Sequence, residues 1–177
     1  MTRPLRVMLL TSAQHWRGSG LSYAKLARGL AGRGHRVDVV VASEPVATHF
    51  EQLGLPAQRL ALAQTGMREV LALLSVARAA ESEIVIVDKP RDLRLAAWMS
   101  LMRPLRIVIR YNRMGQRRSR FVDRWTARRA AAAVYQSEYI RDKARADLPL
   151  LAQLPTYVVP NGYDPLAMTS GVAPREQ

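Results

Sequence analysis

Short apolar runs alternate with longer stretches of helical periodicity along most of the chain. The run at residues 6–10 has the length of a strand and little polar alternation, which favours a strand buried on both faces. Apolar residues then recur at helical spacing over residues 21–30, and a second apolar run follows at 37–41. Gly32 and Gly34 are predicted to end the helix that separates the two apolar runs, because glycine readily adopts the left-handed cap conformation. This segment predicts a β-α-β unit with a right-handed crossover.

The same alternation continues to residue 159. Further strands are predicted at residues 58–63, 83–88, 105–110, 131–135 and 155–159, and helices at 67–80, 93–102, 121–130 and 138–148. Residues 45–53 are predicted to form a short helix or a loop. Strands that alternate with helices are typical of a doubly wound α/β fold. We therefore predict one domain with a mostly parallel, seven-stranded, Rossmann-like sheet over residues 1–165. Residues 166–177 are small and polar, which predicts a linker or disordered tail.

Composition narrows the class of protein. The 177 residues are 49% hydrophobic, which supports one well-buried domain. The chain has no cysteine and three scattered histidines, so we expect neither a disulfide framework nor a metal site. No apolar run approaches the roughly 20 residues that span a bilayer. The first residues lead straight into a strand, so we expect no signal peptide and a cytoplasmic protein.

The charge is strongly positive and concentrated. Lys and Arg number 27 against 14 acidic residues, a net charge of +13, and residues 103–129 contain ten arginines with Asp123 as the one acid. Such a segment attracts polyanions, which include anionic lipid, nucleic acid and phosphorylated substrates.

Two aromatic residues give the basic segment a second interpretation. Phe121 and Trp125 are one helical turn apart, with Arg117, Arg118 and Arg128 near the same face. Aromatic and arginine side chains on one face suit the interfacial zone of an anionic membrane. In the alternative arrangement the aromatic rings point inward and the arginines are simply solvated. The sequence leaves both arrangements open.

The end of the chain carries a recognisable pattern. Residues 134–137 (Val-Tyr-Gln-Ser) precede a predicted helix, and residues 158–164 read Val-Val-Pro-Asn-Gly-Tyr-Asp. Together with the opening strand, the glycine-bearing loop and the helix that ends in Arg-Gly-His at 33–35, this order resembles the N-terminal half of family-four GT-B glycosyltransferases over about residues 5–165.

The resemblance implies the acceptor-binding domain of a retaining, nucleotide-sugar-dependent enzyme of cell-envelope polysaccharide synthesis. The expected acceptor is a lipid-linked or phosphorylated glycan at the inner membrane face. A C-terminal domain, in the same full-length chain or in a separate subunit, would bind the nucleotide sugar. We expect no cofactor on this domain alone, and no sugar transfer by it.

The resemblance also assigns candidate residues, since ligands of parallel sheets bind at the carboxyl ends of strands. Asn112 stands where many relatives carry a histidine that contacts the transferred sugar, and it is the candidate catalytic residue. Acceptor or phosphate binding is expected of the residues at predicted strand ends and helix starts: Gly18, Ser19, Gly20, Asp88, Arg91, Asp92, Arg110, Arg113, Ser137 and Asn161.

Several of these residues also have purely structural interpretations. The glycines at 18 and 20 suit a plain strand-to-helix turn, in a loop that the resemblance places near the donor diphosphate. Asp88 or Asp92 would serve equally as a cap of the helix after Pro90, and Ser137 as the N-cap of the helix that it precedes.

Two other classes of protein remain open. Gly18-Ser19-Gly20 supplies two glycines of a dinucleotide-binding motif, with Glu44 as the ribose-binding acid, but position 23 is tyrosine instead of the third glycine. An oxidoreductase domain is therefore one alternative. The other is a non-catalytic basic module that binds nucleic acid or membrane; the predicted sheet architecture argues against nucleic acid.

Overall fold

A computed structural model describes residues 3–111 and 121–161. These residues form seven strands: β1 (Arg6–Thr11), β2 (Arg36–Val41), β3 (Ala57–Arg59), β4 (Ile84–Val87), β5 (Arg106–Tyr111), β6 (Ala130–Tyr135) and β7 (Thr156–Val158). They also form six α-helices: α1 (Gly18–Ala31), α2 (Glu44–Gln52), α3 (Met67–Ala79), α4 (Pro90–Met102), α5 (Phe121–Ala127) and α6 (Glu138–Asp147). A short 3-10 helix, Pro149–Gln153, precedes β7.

The strands form one parallel sheet in the order β3-β2-β1-β4-β5-β6-β7. The predicted fold class, a doubly wound Rossmann-like sheet, is confirmed. The strand order reverses between β1 and β4, which are adjacent although β2 and β3 separate them in sequence. Two crossover connections diverge at such a point and leave a crevice at the carboxyl ends of the two strands.

Two apolar layers cover the sheet. On one face, Val7, Leu9 and Val39 pack with Tyr23 of α1 and Phe50 of α2. The larger layer lies on the other face, where side chains of β1, β4 and β5 pack against α3, α4 and the end of α5. Strands covered on both faces need nearly continuous apolar sequence, which is the pattern that identified β1, β2 and β4 in the sequence.

Some element bounds differ from those predicted. β3 covers only Ala57–Arg59, not residues 58–63, because Leu60 is the last residue to donate to β2 (to the Val41 carbonyl, 2.9 Å) and Leu62 is buried in the core. α5 ends at Ala127, not at 130, because Ala130 already belongs to β6.

The turn between α1 and β2 matches its prediction in part, since Gly32 ends α1 with a right-handed φ of −63° and the left-handed glycine is Gly34. Gly34 adopts a φ of +82°, the left-handed conformation expected of a glycine after a helix.

Several predictions concern residues outside the described ranges: Asn112, Arg113, Arg117, Arg118 and the tail at 166–177. Within residues 3–111 and 121–161, no helix is both long and apolar enough to span a bilayer. In the same ranges, no group of three or more acidic or histidine side chains is placed to hold a metal ion.

Candidate functional site

The first turn of α1 lies beside the carboxyl end of β1. Arg17 is the N-cap, so the glycines that were predicted to end a loop are instead the first and third residues of the helix. The N–H groups of a first helical turn lack partners within the helix and carry the positive end of its dipole, which suits an anion. α1 has no acidic residue in this turn.

The two glycines differ in their surroundings. A Cβ on Gly20 would lie 2.7 Å from the Trp16 ring, so close packing of that ring explains glycine at this position. A Cβ on Gly18 would meet no atom within 4 Å, so no packing contact among the described residues requires glycine there. The open space at Gly18 would let a ligand approach the backbone closely.

The loop that leads into α1 is fixed against α2. Trp16 stacks on His49 with ring centroids 5.0 Å apart, and it meets Phe50 edge-on at 5.2 Å. The Ser43 hydroxyl donates to the carbonyl oxygen of Ala13 at 3.0 Å. These contacts hold the start of α1 in place without any ligand.

Three polar side chains from distant parts of the chain meet at the end of β5. Arg110 Nη2 donates to Ser22 Oγ at 2.5 Å and to Asn161 Oδ1 at 2.8 Å. Ser22 Oγ in turn donates to Asn161 Oδ1 at 2.6 Å. We call these three residues the polar triangle. It joins β5, α1 and the segment that follows β7.

The guanidinium in the polar triangle retains unused hydrogen-bonding capacity. Arg110 is only 8% exposed, and its Nη1 is buried without a hydrogen-bond partner among the described residues. Burial lowers the pKa of Arg110, an effect that Tyr23 and Asp88 oppose. A buried cationic donor without a partner is costly, so an anion that accepted its hydrogen bond would be bound with favourable energy.

Tyr23 lies beneath this arginine. The Arg110 guanidinium carbon lies 5.8 Å from the ring centroid, and the Tyr23 hydroxyl donates to the Ile86 carbonyl at 3.4 Å. Burial, followed by the charges of Asp88 and Asp92, raises the pKa of Tyr23 well above its usual value. Tyr23 is therefore a neutral supporting group, in the position where a dinucleotide-binding motif has glycine.

An ion pair lies at the end of β4. Lys89 Nζ is 3.0 Å from both carboxylate oxygens of Asp88, and it donates to Thr11 Oγ1 at 2.9 Å. The Asp88 side chain is 5% exposed and that of Lys89 is 24% exposed. Lys89 thus connects the ends of β1 and β4 across the crevice and still reaches solvent.

Asp92 is completely buried next to this pair. Its Oδ2 accepts a hydrogen bond from the Ser12 N–H at 3.1 Å, and its Oδ1 is buried without a partner among the described residues. Burial raises the pKa of Asp92 to about 7; the Ser12 hydrogen bond opposes this and the Asp88 charge adds to it. The carboxyl group therefore gains or loses a proton near neutral pH.

The remaining candidates occupy more ordinary positions. Arg91 Nη1 donates to the Leu62 carbonyl at 3.3 Å. Ser137 accepts a hydrogen bond from the Ile140 N–H at 3.2 Å, which confirms it as the N-cap of α6. The structure thus unites Arg110 with Asn161, and Asp88 with Asp92, whereas Arg91 and Ser137 each make a local contact.

Sequence reasoning did not select Ser22, Lys89, Thr11 or Ser12 as site residues. Lys89 stands between two selected residues, and the positions of Thr11 and Ser12 at the end of β1 were a usable signal. Nothing in the sequence indicated that Ser22 belongs to the site, because a serine inside a predicted helix is an ordinary residue until its partners are known.

A Rossmann-like sheet with buried polar groups at its switch point is typical of a domain that binds a ligand at the carboxyl ends of its strands. Residues 16–165 match the family described as Glycosyltransferase Family 4. Because the match covers most of the chain, this protein belongs to that family. No curated protein sequence gives a significant match.

Solved structures show the same fold. HepE of Anabaena, solved in complex with UDP and glucose, is 16% identical with a TM-score of 0.72, and the alignment covers 90% of this chain and 45% of HepE. MurG of Acinetobacter baumannii is 11% identical with a TM-score of 0.57, covering 75% of this chain and 41% of MurG. A glycosyltransferase of Rickettsia africae is 6% identical with a TM-score of 0.71, and the alignment covers 88% of this chain and 43% of the Rickettsia protein.

The chain therefore spans less than half the length of these structures. The expected architecture, the N-terminal half of a GT-B fold, is confirmed.

Proposed function

We propose that this chain is the acceptor-binding half of a retaining glycosyltransferase that uses a nucleotide sugar, and that its acceptor is a phosphorylated or lipid-linked glycan of the cell envelope. The observation that carries the proposal is the set of buried polar groups at the carboxyl edge of the sheet. Arg110 and Asp92 each keep one buried atom without a hydrogen-bond partner among the described residues, on a domain of Glycosyltransferase Family 4.

The groups of the crevice suit two parts of one ligand. Arg110, Lys89 and the N–H groups of Gly18 and Ser19 are donors for a phosphate. The Asp88 carboxylate, whose side chain is 5% exposed, is an acceptor for sugar hydroxyls, and the completely buried Asp92 lies next to it. Gly20, Arg91, Ser137 and Asn161 support or border the same edge, and Asn112 and Arg113 follow β5 in sequence.

The donor nucleotide sugar is assigned to a second domain, in the same full-length chain or in a separate subunit. Transfer forms a bond from an acceptor hydroxyl oxygen to the anomeric carbon and breaks the bond to the nucleoside diphosphate, whose departing oxygen keeps the bonding electrons and takes the proton of the hydroxyl. Negative charge develops on the departing diphosphate, and fixed cationic and N–H donors stabilise such charge without moving. Retention of configuration places the acceptor on the same side of the sugar as the departing group, so donors that hold an acceptor phosphate would lie close to the departing diphosphate and favour its charge through space.

A glycosyl phosphate titration tests the assignment. Glucose 1-phosphate, observed by NMR, is expected to shift the amides of Ser12, Gly18 and Lys89, whereas glucose alone shifts them less. Arg110→Gln is expected to weaken binding by about 10- to 100-fold, the loss typical of one charge-assisted hydrogen-bond partner. Arg106→Gln is the matched control, because Arg106 is exposed at the other end of β5.

Two results would overturn the proposal. The first is an affinity for glycosyl phosphate that is the same in the wild type and in folded Arg110→Gln. If Arg110→Gln does not fold, the affinity is compared in Arg110→Lys, which keeps the charge but loses the planar guanidinium group. The second is tight binding of UDP, or transfer from a radiolabelled sugar nucleotide, by these 177 residues alone, since the proposal places the donor site elsewhere.

A further inference from the structure

The outward side of α4 and α5 exposes large apolar side chains. We call it the α4–α5 surface. Its apolar members, with exposed fractions, are Trp98 (43%), Leu101 (46%), Met102 (45%), Phe121 (84%) and Val122 (45%). Exposed apolar residues are ordinary when they are scattered, but a contiguous group marks a surface that meets something other than water.

Contacts between the two helices make this group contiguous. Trp98 and Trp125 have ring centroids 5.0 Å apart, and Arg94 pairs with Asp123 at 3.4 Å. The helices therefore run side by side in the same direction. Helical spacing places Leu101 and Met102 on the face of Trp98, and Phe121 on the face of Trp125.

Arginines border these apolar side chains. Arg124, Arg128 and Arg129 are exposed, and the Arg129 guanidinium carbon lies 5.5 Å from the Trp125 ring centroid. The chain carries a net charge of +13, and ten of its arginines fall within residues 103–129. Apolar and aromatic groups edged by arginine match the boundary zone of an anionic membrane, where rings sit at headgroup level and guanidinium groups meet phosphates.

We propose that the α4–α5 surface docks the protein on an anionic lipid bilayer. A second copy of this chain is a poorer occupant, because two like-charged arginine borders would be brought together. Nucleic acid would engage the arginines but would leave Phe121 and the Trp98 face in water. A bilayer satisfies both parts of the surface at once.

The orientation of α5 connects this surface to the site. α5 follows β5 and leads into β6, which is parallel to β5, so Phe121 lies toward the carboxyl edge of the sheet where Arg110 lies. A docked domain would present that edge near the membrane, where a lipid-linked acceptor is found. This consequence rests on the proposed function, whereas the membrane docking itself does not.

Tryptophan fluorescence offers a site-specific test. The chain has three tryptophans, and Trp16 packs against α2, away from the α4–α5 surface. Trp16→Phe therefore reports on Trp98 and Trp125, whereas the double variant Trp98→Phe and Trp125→Phe reports on Trp16 alone. Vesicles containing phosphatidylglycerol are expected to shift the emission of the first variant to the blue, and brominated lipid is expected to quench it. The second variant should show neither effect.

Co-sedimentation with the same vesicles measures affinity. Phe121→Ser is expected to weaken binding about ten-fold, since it removes a ring from the apolar interior. Arg128→Gln with Arg129→Gln is expected to weaken binding about 25-fold, or about five-fold for each charge. The matched controls are Leu71→Ser, and Arg68→Gln with Arg78→Gln, all of exposed residues on α3.

Three results would overturn the proposal. One is equal binding to vesicles of phosphatidylcholine alone. Another is equal weakening by the α3 controls. Equal weakening by Arg68→Gln with Arg78→Gln would show that net charge acts without a defined surface, and equal weakening by Leu71→Ser would show that apolar binding is not confined to the α4–α5 surface. The third is a concentration-dependent dimer in sedimentation velocity that Phe121→Ser dissociates, which would assign the surface to a second copy. Failure of glycosyl phosphate binding would leave the vesicle result standing, so the two proposals fail separately.

Discussion

The carboxyl edge of the sheet buries polar groups, whereas the α4–α5 surface exposes apolar ones. Asp92 is completely buried, with one carboxylate oxygen unpartnered among the described residues, and Phe121 is 84% exposed. Each arrangement costs free energy in the isolated domain, the first through lost hydration of polar atoms and the second through apolar contact with water. The two regions therefore suit different ligands: one that supplies hydrogen bonds, and one that removes apolar surface from water.

The comparison predicts opposite responses to mutation. Substitutions at the carboxyl edge should change the free energy of unfolding, because the groups there are packed and hydrogen-bonded. Substitutions on the α4–α5 surface should leave that free energy almost unchanged and alter membrane binding instead.

The largest expected effect on stability is that of Asp92→Asn. In an unfolded chain an aspartate loses its proton near pH 4, whereas Asp92 in the folded protein keeps its proton to about pH 7. Between these values the unfolded state binds fewer protons, so the stability contributed by the protonated form is lost as the pH rises. An asparagine at this position stays neutral, so above about pH 8 the variant should be more stable by roughly 2–4 kcal/mol.

Urea denaturation across this pH range measures the effect. Stability of the wild type should fall from about pH 4 to pH 7 more steeply than that of Asp92→Asn. Glu51→Gln, which changes an exposed carboxylate on α2, serves as the control. Parallel pH profiles for the wild type and Asp92→Asn would show that Asp92 titrates normally.

Gly20→Ala comes next. The added Cβ would lie 2.7 Å from the Trp16 ring, which His49 and Phe50 hold in place, so we expect a loss of about 1–3 kcal/mol. Gly18→Ala is the matched control. Its free energy of unfolding should equal that of the wild type, since the added Cβ meets no atom within 4 Å. Thermal unfolding of both variants decides the point; an equal loss in both would mean that backbone conformation, not Trp16, requires the glycines.

Ser22→Ala should have a smaller effect. It removes a hydroxyl that accepts from Arg110 and donates to Asn161, at an expected cost of about 1–2 kcal/mol. Ser75→Ala removes a hydroxyl bonded to the Ala72 carbonyl on the exposed side of α3, and should cost less than about 0.5 kcal/mol. Denaturant midpoints at constant m-value compare the two, and equal midpoints would show that the polar triangle contributes nothing to stability.

The smallest expected effect on stability is that of Phe121→Ser. With 84% of the residue exposed, the free energy of unfolding should change by less than about 0.5 kcal/mol. The same protein should bind anionic vesicles more weakly. A clear loss of stability would remove the contrast between the two regions, because it would show that Phe121 is part of the packed domain.

The order of elements could be predicted well because that order depends on local patterns. Apolar runs of strand length and glycine-terminated helices are visible within a few residues, and β1, α1 and β4 follow directly from them. The bounds of β3 were predicted less accurately, because three residues beside β2 leave little periodicity to detect.

The site was harder to predict because its contacts join distant residues. Ser12 and Asp92 are 80 positions apart, and Ser22 and Asn161 are 139 apart. The sequence correctly placed Arg110 and Asp92 near strand ends, but it left Asp92 as either a ligand or a helix cap. In the structure, the Asp92 carboxylate accepts a hydrogen bond from the Ser12 N–H and does not cap the first turn of α4. The Trp98–Trp125 contact that unites the α4–α5 surface was invisible for the same reason.

The polar triangle also has a thermodynamic consequence. Asn161 follows β7, and its side-chain oxygen shares Arg110 with Ser22. An anion that drew the guanidinium away from Asn161 would remove one of the two hydrogen bonds that the Asn161 side-chain oxygen accepts. By reciprocity, any force that pulls Asn161 away must change the affinity for that anion by the same factor. In that case, anion binding by Arg110 and the hydrogen bond between Arg110 and Asn161 are linked equilibria.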